Sequence, residues 1–322
     1  MSLKLDKNLL EKFEFGINTI DPEKGSIPIE ILGYGEISLV FQLKGEKDIA
    51  YKRLPIFDNE EQVKRHILAY NMYQTDLLDN KIGVNLLPYG SEYIVKPDGS
   101  ISLFLAQQKI DPNSICHKLL HKLSNKEVAK LYQLLMRELH KIFSFNKSRK
   151  SIHVGIDAQI SNWAIKNFDP NSINLTDETE FYYLDTSTPM FRKNKKEAME
   201  AELFLKSAPS FLRTLLKLLF VQEVLNRYYD WRLVTIDMIA NLYKEQRPEV
   251  IPECIKAVNR YFKEEASEFS IEPIAMVDVK SYYDEDKMIW DIFLKARKFD
   301  RFLHKKVMKK QYEFYLPPDI KR

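Results

Sequence analysis

Cysteine is nearly missing from this 322-residue chain. The two present, Cys116 and Cys254, stand far apart without partner ligands at metal-binding spacing. That pattern gives neither a disulfide framework nor a zinc site, so a reducing, cytoplasmic setting is the economical expectation. Glycine is also scarce, with nine residues, while 45% of the chain is apolar and 12% aromatic. Such a composition excludes a disordered or fibrous chain and describes an ordered protein with substantial helix. One-sided charge is lacking: the formal net charge of +3 demands neither nucleic acid nor an anionic membrane as partner. Long apolar runs are absent as well. The most apolar segment, residues 212–225, is interrupted by Arg213, Lys217, Gln222 and Glu223, far short of a membrane span. The opening MSLKLDKNLLEKFEF carries charges throughout and does not read as a secretory signal.

What is present falls into two halves, and the length suffices for two compact units with separate cores. The first, residues 1–108, reads as an antiparallel sheet with one long helix. After an amphipathic stretch at 6–15, residues 27–41 run strand, glycine turn, strand, and 48–54 form a third strand with Lys52 in its middle. A helix follows over 59–78, with Val63, Ile67 and Tyr70 along one stripe. Two further strands are joined by Pro97-Asp98-Gly99-Ser100, a strong turn signal. Near 107–113 the strand pattern gives way, and the second unit, 109–322, is mainly helical. Helices are expected over 114–123, 125–145, 195–207, 210–228, 233–245, 249–265 and 283–308, punctuated by prolines. The fold class is α+β.

Residues 151–189 interrupt those helices. Asn162 precedes Trp163-Ala164-Ile165, Asp185 follows Phe181-Tyr182-Tyr183-Leu184, and a polar turn lies between, which are hairpin signals. Asp157 stands five residues before Asn162. An Asp-x4-Asn followed by an Asp ending a second strand can present a base and two magnesium ligands for phosphoryl transfer. Spacing alone has little weight, because about one Asp-x4-Asn is expected by chance in a chain this long. A second instance, Asp169 to Asn174, lies in the turn, where both residues are ordinary turn formers.

The rest of the order adds weight. Gly33 and Gly35 sit between two strands, followed by Ser38 and Val40, and glycines let a backbone approach phosphate oxygens closely. Lys52 follows Val40 by twelve residues, at the end of Ile49-Ala50-Tyr51-Lys52. There an ammonium could meet phosphates, held by a helix carboxylate for which Glu61, ahead of Glu60, is the candidate.

Glycine loop, lysine strand, helix, hairpin strands, linker, Asp-x4-Asn, hairpin and Asp follow in one sequence. On these motifs the chain resembles the protein-kinase-like superfamily over residues 27–190. Its helix-rich second half is similar in character to the aminoglycoside phosphotransferase and choline kinase branch. The resemblance implies a bilobal fold and ATP with Mg²⁺ as cofactors. The backbone of Gly33, Gly35 and Ser38 would cover the phosphates and Lys52 would pair with them. Asp157 would act on the proton of the attacking hydroxyl, and Asn162 and Asp185 would hold the metal. Gln107 and Gln108, at the linker, would offer their backbone to the adenine. No APE-like motif follows Asp185, which favours a small-molecule acceptor over a protein. Two positions depart from the pattern: Gly155 replaces a usual histidine, with His153 two residues away, and Asp185-Thr186-Ser187-Thr188 replaces DFG. These departures motivate an alternative, a kinase-fold binding or scaffold protein without catalysis. A third option is nucleotidyl transfer on the same fold.

Other residues have plainer readings. His117 and His121 lie at i, i+4 but lack a third ligand and suit a polar helix face. The aromatics of 228–232 are core more often than an acceptor pocket. Asp278 and the acidic run 284–286 could meet a cationic acceptor, although the run equally suits a helix N-terminus.

Overall fold

The computed structural model describes residues 3–35, 38–78, 82–207, 213, 221–308 and 312–316. The protein is a mixed α+β structure with small, mainly antiparallel sheets. Helix α1, Lys7–Phe15, starts where the Asp6 carboxylate accepts from Leu9 N, and it buries Leu10, Phe13 and Glu14. Strands β1 (Ile29–Tyr34), β2 (Leu39–Leu43) and β3 (Ile49–Phe57) precede helix α2, Glu60–Leu78. The two-residue β4 (Asn85–Leu86), then β5 (Tyr89–Val95) and β6 (Ile101–Gln108), follow. Five of these strands form one antiparallel sheet in the order β1-β2-β3-β6-β5.

Strand alternation gives this sheet two apolar faces. Phe41, Tyr51 and Phe104 pack with Leu10 and Phe13 of α1 on one. Leu54, Leu103 and Leu105 pack with Val63 and Tyr70 of α2 on the other. Residues 312–316 return to this region from the far end of the chain: Tyr315 joins the α1 face, and Thr19 Oγ1 donates to Tyr312 O at 2.6 Å.

Beyond residue 108 come the short α3 (Cys116–Leu119) and α4 (Asn125–Ser148), the latter opened by a reciprocal Ser124–Glu127 capping box. Val128, Leu131, Leu135, Leu139 and Ile142 are all buried, as their periodicity predicts. Strands β7 (Ile152–Val154), β8 (Trp163–Ile165) and β9 (Phe181–Tyr183) follow, then β10 (Phe191–Lys193) and β11 (Lys196–Glu197). Helices α5 (Val221–Arg227), α6 (Trp231–Lys244), α7 (Ile251–Glu264) and α8 (Met276–Leu303) follow among the described residues. Helices α6 and α7 pack on α4, and α8 packs on α6, around a large apolar core that includes Trp163, Met238 and Val258.

Contacts run across residue 108: β4 pairs in parallel with β9 in the sheet β4-β9-β8, and residues 312–316 lie on the first sheet. Two expectations change. The helix expected at 195–207 is instead the β10–β11 hairpin followed by a 3₁₀ turn at Ala201–Ser207. Asn194 and Lys195, both at positive φ, make the two-residue turn, which local helix propensity could not reveal. Helix α8 begins at Met276, not near 283, because Asp278 caps it by accepting from Ala275 N at 2.8 Å. Asp284, Glu285 and Asp286 therefore lie within the helix. Most of the helix expected at 210–228 lies outside the described residues; only its end, α5, can be compared. No described helix is long and apolar enough to cross a membrane.

Candidate functional site

Lys52 is the centre of the arrangement. Residues opposite one another across a sheet share a face, and Gly33 pairs with Val40, Val40 with Lys52, and Lys52 with Leu105. The glycine turn, the lysine and the α2 side of the sheet thus lie in one row. Gly35 N donates to Ser38 O at 2.8 Å, closing a tight turn. A Cβ on Gly35 would lie 3.1 Å from Ser38 O, whereas one on Gly33 would meet nothing within 4 Å. Glu36 and Ile37, at the tip of the turn, lie outside the described residues.

From the end of β9, Asp185 reaches this row. Lys52 Nζ donates to Asp185 Oδ1 at 2.8 Å and to Ser187 Oγ at 3.1 Å. Ser187 also donates to Asp185 Oδ1, from Oγ at 2.6 Å and from its backbone N at 3.2 Å. Burial pushes the Asp185 carboxyl up, but the Lys52 ammonium and the Ser187 donors outweigh it and leave the pKa below its ordinary value. The carboxylate is therefore charged at neutral pH.

Asn162 is tied to Asp157 and to Leu184, the residue before Asp185. Its Nδ2 donates to Asp157 O at 3.0 Å, and its backbone O accepts from Leu184 N at 2.8 Å. Asp157 Oδ1 accepts from Gln159 N at 3.2 Å. Buried Tyr73 and Tyr183 feel the charges of both Asp157 and Asp185, in addition to the desolvation that chiefly raises their pKa. The rival Asp169 is a turn former, accepting from Asn171 N at 2.9 Å.

Two expected contacts are absent among the described residues. Glu61 is 79% exposed at its side chain and pairs with Arg65 on its own helix, while Glu60 pairs with Lys64. Both occupy the solvent side of the first turn of α2, so neither is the partner of Lys52. Gln107 and Gln108 are still within β6: Gln107 is in register between Ala50 and Tyr89, and Gln108 N donates to Pro88 O at 2.9 Å. Their backbone is committed to the sheet, which corrects the expectation that it meets a base. The Gln107 side chain acts instead, donating from Nε2 to Leu184 O at 2.7 Å and to Thr186 Oγ1 at 3.3 Å, on either side of Asp185.

Gly155 has a steric explanation. A Cβ there would lie 3.1 Å from two ring carbons of Tyr229 and 3.2 Å from Tyr228 O. The Tyr229 ring fills the space, anchored by its hydroxyl donating to Glu197 Oε2 at 2.8 Å and by Arg192 over its face. His153 sits on β7 opposite Arg192, with Nε2 3.2 Å from Arg149 O.

Sequence reasoning missed the polar atoms on the buried face of α2. Tyr73 donates from its hydroxyl to Gly155 O at 2.9 Å. Tyr70, His66 and Gln74 lie buried on the same face. Burial lowers the His66 pKa to about 4, so the imidazole is neutral at physiological pH. The stripe was visible in the periodicity, but its polar atoms carried no local signal.

The remaining candidates are structural. Trp231 is buried and stacked on Phe143 at 5.3 Å, and Asp230 caps α6 by accepting from Leu233 N. Asp278 pairs with Arg232, Asp284 with Lys280, Glu285 with Arg227 and Asp286 with Lys244. The described residues hold no cluster of three or more His, Cys, Asp or Glu suited to a metal. A cavity of about 200 Å³ beside the β8–β9 turn and one of about 490 Å³ near Trp231 are lined by none of Lys52, Asp157, Asn162 and Asp185.

A family model described as "Family of unknown function (DUF6206)" matches residues 17–301, so the chain belongs to that family. No curated protein matches it.

Proposed function

We propose that this DUF6206 member is an ATP- and Mg²⁺-dependent phosphotransferase of bilobal, protein-kinase-like architecture, acting on the hydroxyl of a small molecule in the cytoplasm. Residues 1–108 would form the nucleotide lobe, and residues 109–322, with the 151–189 hairpin, the second. The reading rests on the Lys52–Asp185 contact, which joins residues 133 apart in sequence. Asn162 ties Asp157 to the same β9 end.

The donor set suits the proposed ligands. Mg²⁺ prefers oxygen ligands, and Asp185 offers a charged carboxylate. With Asn162 Nδ2 committed to Asp157 O, its amide oxygen remains for a metal. Bound ATP would supply the phosphoryl group, and Mg²⁺ the counter-charge on its oxygens. The chain's own part is positioning: Lys52 offers an ammonium to the phosphates, Gly33 leaves open space above its strand, and Asp157 would accept or orient the acceptor proton. Only residues 186–190 separate Asp185 from β10, little chain for a platform that would take a protein substrate. The absence of an α2 carboxylate at Lys52 favours a second reading, nucleotide binding without transfer.

Thermal unfolding with ATP plus Mg²⁺, ATP plus EDTA, and neither tests the first step. A ligand at one hundred times its dissociation constant should stabilise the protein by about 2.7 kcal/mol. No shift at millimolar ATP would overturn both readings. Asp157→Asn should keep the shift and lose turnover by about 10²- to 10⁴-fold. A wild type that shifts but transfers to no acceptor across a broad panel supports the second reading. Product mass separates phosphoryl from nucleotidyl transfer.

A further inference from the structure

We infer that the solvent-facing side of α8 is a self-association surface, on which two copies of this chain pair antiparallel as a two-fold dimer. The inference is independent of the phosphotransferase reading.

One side of α8 is accounted for by the fold: Val279, Tyr283, Trp290 and Arg297 are buried, and the helix packs on α6. The opposite side of a surface helix should then carry polar groups. Instead Met288, Ile292, Phe299 and Phe302 are 54%, 51%, 51% and 55% exposed. Their spacings of four, seven and three residues keep them on a single stripe, the pattern by which helices pair, with Lys295 at the one position between. At about 1.5 Å per residue the stripe is about 21 Å long. Apolar residues exposed singly are ordinary, but four large ones in line form the kind of patch that marks an interaction site.

Charge along the helix identifies the occupant. Residues 284–291 carry four acids and one lysine, whereas residues 298–306 carry four cations, Lys298, Arg301, Lys305 and Lys306, and one acid. A parallel copy would set acids on acids and cations on cations. In an antiparallel copy, the register that places exposed Asp291 against exposed Lys298 of the second chain brings Met288 within one residue of facing Phe302. The same register brings Ile292 within two residues of facing Phe299, and symmetry repeats each contact. Apolar seam and charged flanks thus agree on one alignment. The acids on this helix disfavour an anionic lipid surface as the occupant. Lys295 alone opposes the pairing, because it falls beside the two-fold axis and faces its own copy. Its long stem can carry the ammonium to the rim, which makes the association weak.

Analytical ultracentrifugation of the full chain without ATP, from micromolar to near-millimolar concentration, tests this. Wild type should pass reversibly from monomer to dimer, and a chain that stays monomeric across the range overturns the inference. Ile292→Asp and Phe302→Ser should each weaken dimerisation by about tenfold or more. Thermal unfolding of the dilute monomer should be unchanged in both, since both side chains are exposed. Asp291→Lys and Lys298→Asp should each weaken dimerisation by about three- to tenfold, through the lost pair and the like charges that replace it. The double variant should recover the wild-type dissociation constant, because every facing pair is again of opposite sign. A dimer untouched by both apolar variants lies elsewhere on the chain and overturns the surface. A double variant no tighter than the single ones overturns the antiparallel pairing.

Discussion

Two adjacent cations on β3 show how differently one strand treats its two faces. Arg53 points toward α1 and is closed off: its side chain is 1% exposed and that of Glu14 0%. Its Nε and Nη2 each donate to Glu14 at 2.6 Å, Nη1 donates to Glu313 O at 2.7 Å, and Ser102 Oγ adds a donor to Glu14 at 2.7 Å. Lys52 points the other way, with side-chain exposures of 20% for itself and 30% for Asp185. The first pair is saturated and dry, whereas the second is reachable from solvent. A guanidinium matches two carboxylate oxygens at once, and an ammonium is a mobile point charge. Strand alternation alone therefore separates a fixed joint from a cation that can change partners.

The largest effect should come from breaking the saturated pair. Arg53→Met leaves Glu14 buried without its cation and should cost about 3–5 kcal/mol, read from urea unfolding. A loss below about 1 kcal/mol would erase the contrast between the faces. Lys52→Met should change the stability of the ATP-free protein by no more than about 1 kcal/mol, because a partly exposed pair contributes little. It should nevertheless abolish the Mg²⁺–ATP shift of about 2.7 kcal/mol. The same calorimetric series measures both.

Acid sharpens the comparison further. Burial raises the Glu14 pKa, but Arg53, Ser102 and Lys96 together bring it below its ordinary value of 4.5. A depressed folded pKa means that the unfolded chain binds the proton first. The stability contributed by Glu14 is thus fully present above about pH 5 and is lost as pH falls through the lowered folded value. In Glu14→Gln the slope of stability against pH below 4.5 should be shallower than in wild type. The smallest effect belongs to Glu61→Ala, which removes an exposed i, i+4 pair worth about 0.3–0.5 kcal/mol and should leave any turnover unchanged.

Local pattern carried much of the architecture. Period-2 alternation located the strands of the first sheet, and the 3.6 period located α4 with its buried residues. Lys52, Asp157, Asn162 and Asp185 were legible because each stands beside a recognisable strand. The unreadable parts depend on contacts across long separations. Nothing near Gln107 signals that its amide will reach Leu184, and nothing near Tyr73 names Gly155 as its acceptor. Glu61 misled because a helix-start glutamate looks the same whether it serves the helix dipole or a lysine. The β10–β11 hairpin was hidden because its lysines and Glu197 favour helices, while its turn depends on two positive φ angles.

The return of residues 312–316 to the first sheet orders events during synthesis. The ribosome makes β3 early, but Arg53 waits for Glu313, Thr19 for the carbonyl of Tyr312, and the Arg297 guanidinium for that of Tyr315. Translation proceeds at about 5–20 residues per second. The sheet that carries Lys52 therefore spends on the order of ten seconds or more without its final clasp, and the half made first is the half finished last.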